Sequence, residues 1–340
     1  ADDEIFHGHE AGDDEFDAMD GEEFFNMDRL SHETAKHEDA TDFFVFNLRL
    51  ETVWRRARKD ARSQGIENDE DLAYEIIRKG NIDEDIMKTE PDAPEDVALE
   101  LLIDSCLAGS KDEKQRLVNE ALELDPECPD AYILRGDMRR DTGSALKEYT
   151  TATRMAQKIM NLDFNDIGPS DWWMKPGVRA YLTSRFLSAQ CLAIQGRKKE
   201  ARRHLEEIMA LNEEDDLTAH RSLLDLLIDM GDLDEAGYLL RVFSHDEYSG
   251  WIYNSALYFF LREGDTESTR EGLEIAIDSN HHIADFLTGK REPLPYMLSS
   301  EEPGSEGEAV DYLMSMQDVW NRHEGAIECL RSVMNSLGRS

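Results

Sequence analysis

Residues 182–212 read LTSRFLSAQCLAIQGRKKEARRHLEEIMALN, residues 217–243 read LTAHRSLLDLLIDMGDLDEAGYLLRVF, and residues 252–280 read IYNSALYFFLREGDTESTREGLEIAIDSN. In each block an apolar stripe at helical spacing runs up to a glycine, and a second stripe follows it. The glycines are Gly196, Gly231 and Gly264, spaced by 35 and 33 residues. Glycine turns a chain sharply because it tolerates positive φ, so each block reads as helix, tight turn, helix. One such pair cannot cover its own apolar face, and pairs of this kind therefore stack. The sequence predicts an all-α fold with no sheet of three or more strands. Its form is a right-handed α-solenoid whose first helices line a concave side.

The pattern extends outward in both directions. Two helical stripes fill Val97–Pro126, and Ala121, Leu124 and Pro126 close the second. Proline stops it, having no N–H to give and a ring that clashes with the preceding turn. In the next unit Ala131, Tyr132 and Gly136 match the first helix, and Ala145, Tyr149 and Ala152 match the second. Ala131 and Ala145 are 14 residues apart, three short of the repeat, so a tight turn is expected at Asp141–Ser144 with Gly143 suited to it. The period breaks between Met160 and Gly177, where Trp172 and Trp173 stand, and again over residues 281–308. Glu306–Leu337 gives a last pair. Ala201 and Ala236, each five residues after its glycine, are expected where paired helices cross. A helix–turn–helix unit recurring near 34 residues resembles the tetratricopeptide repeat, which implies an interaction scaffold with its binding side on the first helices.

Upstream of the array the composition changes. Residues 1–42 hold 16 acidic residues against Arg29 and Lys36, with Phe6, Phe16, Phe24 and Phe25 in no sustained period. High charge with few aliphatic residues predicts a mostly disordered acidic tail; acidic–aromatic alternation also suits a docking tail that folds on a partner. Residues 43–88 form a short helical segment. Its first helix carries six basic residues between Asn47 and Gln64, with Leu50, Val53, Trp54, Ala57 and Ala61 on one face. The acidic tail or the array is expected to neutralise these cations. Lys88–Asp96 is a linker, with two prolines and no apolar period. The repeat array spans 97–340.

The net charge of −38 argues against nucleic acid or an anionic membrane as ligand. It equally suits a chain from an acidic proteome. No run of about 18 apolar residues is present, so no membrane span is expected. No basic-then-apolar leader opens the chain, which gives secretion no support. Cys106, Cys128, Cys191 and Cys329 lie far apart without a CxxC pair. Neither a zinc site nor a disulfide framework follows, and a reducing, cytoplasmic setting is favoured.

Catalytic chemistry leaves little trace. GxxxxGK[ST], GxGxxG and GxSxG are absent, so the nucleotide and serine-hydrolase readings lack a phosphate cradle or nucleophile elbow. DFNDIG at Asp163–Gly168 resembles a calcium loop, but Ile167 fills a ligand position and Met174 replaces the bidentate glutamate. His7, His9, His32 and His37 offer weak imidazole ligands without a fixed geometry. His281–His282 reads as a helix end, where histidine meets the C-terminal dipole. Acid pairs such as Asp215–Asp216 and Asp232 with Asp234 read as helix starts. No metal and no cofactor are expected.

The concave groove remains. Counting back from each glycine places Phe186 and Gln190 on it in one unit. Arg221, Ser222 and Asp225 follow in the next, then Asn254, Ser255, Tyr258 and Arg262 in the third. This mixed polar and aromatic lining suits an extended peptide or a helix. A non-enzymatic adaptor holding a protein partner there, of unknown oligomeric state, is the leading reading. The alternatives are an enzyme whose pocket forms where loops 162–177 and 286–307 meet, and an acidic chaperone-like binder of basic proteins.

A second resemblance covers about residues 120–332. Lys175–Pro176, with Arg179 following, stands where an arginine–proline step precedes the first clear unit. Asn280, His282 and Leu287 match an Asn-Pro-His-Val-Pro run leading into Tyr-Leu-Leu, whose two prolines are His281 and Ala284 here. Pro303, Gly304, Ala309, Val310 and Trp320 match a proline–glycine–acidic stretch and an Ala-Val helix with its tryptophan. In these elements the chain resembles the suppressor-of-tumorigenicity-7 family and its soluble bacterial relatives. That resemblance implies a tetratricopeptide-like fold and brings no activity with it.

Overall fold

The computed structural model describes residues 93–160, 177–212, 217–293 and 302–339, with residues 45, 47–52, 55, 56, 59, 63 and 65 of the segment before them. The acidic tail, residues 88–92 of the linker, DFNDIG, Trp172–Trp173 and the four tail histidines lie outside the described residues. The end of the expected linker, Pro94–Asp96, is instead the first turn of a helix, Pro94–Leu107, where proline is tolerated. Those described hold helices and no strand.

Six helix pairs follow one another among the described residues. They are α1 (Pro94–Leu107) with α2 (Lys111–Leu124), and α3 (Pro129–Asp137) with α4 (Thr142–Met160). Next come α5 (Val178–Ile194) with α6 (Lys198–Leu211), and α7 (Ala219–Met230) with α8 (Leu233–Val242). The pair α9 (Ser249–Glu263) and α10 (Glu267–Ser279) precedes a short α11 (His281–Leu287), and α12 (Glu306–Asn321) with α13 (Glu324–Ser336) closes the series. This is an α-solenoid of tetratricopeptide-like pairs, and consecutive helices pack on each other along it.

Local chemistry accounts for the boundaries. Prolines open α1 and α3, where a missing N–H costs nothing. Side-chain caps at Ser110, Thr266, Asn280 and Ser305 accept N–H groups at the starts of α2, α10, α11 and α12. Gly196, Gly231 and Gly264 all stand at positive φ, between 74° and 77°, as the turns require. At Gly231 the chain closes with Gly231 N–H on the Ile228 carbonyl and Asp232 N–H on that of Leu227, satisfying two orphan acceptors of α7.

The turn of the shortened unit lies earlier than expected. The chain turns at Met138–Asp141, and Gly143 is helical, inside the first turn of α4. The Asp141 carboxylate accepts the Ser144 N–H at 2.8 Å, and this cap, rather than a glycine turn, starts α4. His281 and His282 likewise open α11 rather than face the end of a helix, because the Asn280 side chain caps α11 through the His282 N–H.

Small residues set the spacing of the pairs. Ala201 and Ala236 are fully buried at the crossings, as expected. The equivalent residue of the third unit is Thr269, also fully buried, whose hydroxyl donates to the Gly264 carbonyl at 2.9 Å. At Gly136 a β-carbon would collide with the ring of Tyr149, so only glycine lets α3 and α4 close.

The basic segment joins the array. Leu48 shares a core cluster with Ala98, Leu99, Leu102, Val118 and Ala131. Glu51, nearly buried, pairs with Arg179 at 3.0 Å and with Arg55 at 3.2 Å, while Arg56 meets Glu100 at 2.9 Å. Burial and the Glu51 carboxylate push the neighbouring Asp130 carboxyl up to about 6, against the opposing pull of Arg55 and Arg179.

Candidate functional site

The first helices α5, α7 and α9 carry the nine residues assigned to the groove. On α5, Phe186 is half-buried and Gln190 exposed, and Ile194, one turn on, is 74% exposed. These three lie four residues apart and form one stripe.

On α7, Arg221 is clamped. Its Nε and Nη2 donate to Asp246 at 2.7 and 3.0 Å, and its guanidinium lies 4.5 Å from the ring centre of Tyr248. His220 meets the same carboxylate through Nε2 at 2.7 Å, and the Tyr248 N–H donates to it at 2.8 Å. Burial opposes ionisation of Asp246. The hydrogen bonds from His220, Arg221 and Tyr248 nevertheless hold its carboxyl well below the usual range. His220 also stacks on Phe243 at 4.1 Å, which locks this corner.

Asp225 and Asn254 meet a helix of the chain itself. The last pair curls inward, so that α12 packs on both α7 and α9. Along that contact Trp320 Nε1 donates to the Tyr312 hydroxyl at 2.7 Å, and that hydroxyl donates to Asn254 Oδ1 at 2.9 Å. Asn254 Nδ2 then donates to Asp225 Oδ1 at 2.5 Å. Desolvation pushes the half-buried Asp225 carboxyl up to about 6, and the hydrogen bonds from Ser315 and Asn254 only partly offset it.

Both ends of α12 are pinned. At the first, the fully buried Glu308 carboxylate accepts the Ser249 N–H at 3.1 Å, the Gly304 N–H at 2.8 Å and Asn280 Nδ2 at 2.8 Å. At the other, Arg322 and Lys198 share Asp229 of α7, the lysine at 2.6 Å. An internal helix therefore lies across the first helices of two units.

The structure places the nine residues on successive first helices, but they do not form one continuous open lining. Asn254 is 1% exposed beneath α12. Tyr258 is half-buried with its hydroxyl end against Gly237 of α8. Ser222 and Ser255 are half-buried, and the exposed Arg262 pairs with Asp234 at 2.8 Å. Phe186 and Gln190 are the members farthest from α12 in the order of the array.

Glycine counting had no view of the residues that hold this arrangement. Glu308 did leave a signal, since Ser305-x-x-Glu308 has the spacing of a capping box. In the fold Ser305 caps α12 as that motif implies, while Glu308 reaches three other donors. Tyr312 and Asp246 left none, because Asn254 lies 58 residues from the first, and Arg221 and His220 lie 25 and 26 residues from the second. Of loops 162–177 and 286–307, residues 162–176 and 294–301 lie outside the described residues, and Phe286–Leu287 and Glu306–Gly307 belong to α11 and α12. No cluster of three or more metal-ligating side chains occurs among the described residues, nor is any helix there long and apolar enough to cross a membrane.

No family model and no curated protein matches the chain. Among solved structures it is similar to YrrB, a tetratricopeptide protein described as having an unusual peptide-binding site. The match is 24% identical over 54% of this chain and 86% of that one, with a TM-score of 0.36.

Proposed function

We propose that the protein is a non-enzymatic scaffold that holds a helix or extended peptide of a protein partner against its first helices. The contact is made where α12 leaves them open. The observation that carries this reading is the stripe Phe186, Gln190 and Ile194 on α5, with Ile194 74% exposed and Arg221 and Ser222 on the next first helix. An isoleucine that open on the binding side of a repeat array is suited to a partner, since such arrays bind along that face.

The mode of contact has support within the chain. Tyr312, Met316 and Trp320 lie four residues apart on α12 and are buried against the array. That is how an amphipathic ligand helix sits in a groove. Phe186, Gln190, Arg221 and Ser222 are then the partner contacts, while Asp225 and Asn254 belong to the seat of α12. Ser255, Tyr258 and Arg262 fall beyond that seat. A kinship with the suppressor-of-tumorigenicity-7 family is proposed on the sequence elements that resemble it; of the matched residues, Asn280 caps α11 and holds Glu308. A reducing, cytoplasmic setting agrees with four cysteines that are all free thiols, three of them buried.

The test is site-specific photocrosslinking in the source lysate. A photoreactive residue at Gln190 is expected to give a discrete protein adduct, and one at the exposed Tyr238 of α8 is not. Equal labelling from both positions would overturn the proposal.

A further inference from the structure

The middle of the array reverses the sign of the chain. Described residues 129–160 and 178–212 hold 13 basic and 7 acidic side chains, within a protein of net charge −38. The acids there are already engaged. Glu148 takes Arg135 and Arg139, Glu207 takes Arg185, Glu200 takes Arg197 and Glu206 takes Arg202. Asp130 is buried, Asp137 accepts the Tyr149 hydroxyl, and Asp141 caps α4. Arg140, Lys147, Arg154, Lys199 and Arg203 are left exposed, with no ion pair among the described residues. Lys147 and Arg154 share one side of α4 with Lys158, which pairs with Glu127, and Lys199 and Arg203 share one side of α6. These are the second helices of consecutive pairs, on the side away from the first-helix face.

We infer that this cationic face of α4 and α6 is the docking surface for the chain's own acidic segment, residues 1–42. That segment offers the complementary charge, 16 acidic residues against two basic. Glu51 fixes where that segment joins the array. Glu51 pairs with Arg179 and lies by Gly177, and a β-carbon on Gly177 would stand 3.2 Å from the Ala156 carbonyl and from Ile159 of α4. Residue 51 therefore sits beside the end of α4 that carries Arg154 and Lys158. Residues 45 and 47–51 are helical, so residue 42 lies within about 20 Å of residue 51. The 19-residue α4 is about 28 Å long, well within the contour of the 42 residues beyond. The acidic segment is thus tethered within reach of the whole face, at an effective concentration in the millimolar range. A free polyanion must instead approach against the net charge of the protein. Docking there leaves the first-helix face clear, so the inference stands apart from the proposed partner site.

Zero-length carbodiimide coupling of the full-length chain, read by mass spectrometry of the monomer, tests this. Links from residues 1–42 are expected on Lys147, Lys158 and Lys199 in preference to Lys111, Lys114 and Lys290. They should fall several-fold at about 0.5 M NaCl, where the Debye length is only a few ångströms. The Arg154→Glu, Arg203→Glu double variant should lose them several-fold at unchanged Tm, since both arginines are exposed and unpaired. Should that variant be destabilised, neutralising Asp13, Asp14, Glu15 and Asp17 to the matching amides repeats the test from the other partner. Links spread evenly over all lysines, or unchanged in these variants, overturn the inference. So do links confined to covalent dimers, which would assign the face to a second copy. A short DNA duplex that binds the full chain through Arg154 and Arg203 and leaves every link in place would assign it to nucleic acid instead.

Discussion

Two kinds of residue constrain the pairs most tightly, those that must be small and those whose burial disfavours their charge. Ala236 is fully buried at the crossing of its pair. Ala236→Leu is therefore expected to cost about 1–3 kcal/mol by overpacking, measured as a lower urea midpoint at unchanged slope. Asp225 is the second kind. Its carboxyl titrates at about 6 in the fold and near 3.8 when exposed. The unfolded chain releases this proton first as pH rises, so the Asp225 contribution to stability falls between about pH 4 and 6 and stays reduced above that. Asp225→Asn should therefore gain on the parent as pH rises, with the Tm difference larger at pH 7 than at pH 4. A pH-independent difference would show that Asp225 does not titrate abnormally.

At the scale of elements, α12 stands out. Its Ala309, Tyr312, Met316 and Trp320 are buried, while Met314 is 79% exposed on its outer side. Polar bonds rather than the apolar stripe fix where it lies, because they join it to α7, α9 and α11 at defined points. Glu308→Ala would leave the Ser249 and Gly304 N–H groups and the Asn280 amide without their acceptor. A loss of at least about 2 kcal/mol is expected, with faster amide exchange through α12. Tyr312→Phe removes one acceptor and one donor of the relay between Trp320 and Asn254, and should cost about 1–3 kcal/mol in the same denaturation assay. A larger loss from Tyr312→Phe than from Glu308→Ala would place the main anchor of α12 at its centre rather than its start.

For the whole molecule, charge is the dominant variable. A net charge of −38 works against the compact state through self-repulsion. Stability should rise when NaCl is increased from about 0.02 to about 0.3 M, as the Debye length shortens to several ångströms. A falling Tm over that range would mean that internal pairs such as Glu51–Arg179 outweigh the repulsion. The distribution of charge matters as much as its sum. The four acids of α2 stand against three bases, while the solvent side of α4 presents lysine and arginine.

The sequence by itself determined the helix pairs and their turns, because these depend on neighbours within one or two helical turns. Gly196, Gly231 and Gly264 mark reversals through φ alone, and Ala201 and Ala236 mark crossings through size alone. The turn of the shortened unit is not legible at this range, since a glycine inside a helix and a glycine in a turn look alike without the Asp141 cap. The candidate site was legible only as positions on first helices. Whether each position is open depended on α12, which arrives from about 60 to 90 residues away to cover Asn254 and reach Asp229. Only the tertiary structure decided that, because the curl of the last pair is set by buried hydrogen bonds between residues with no sequence period in common.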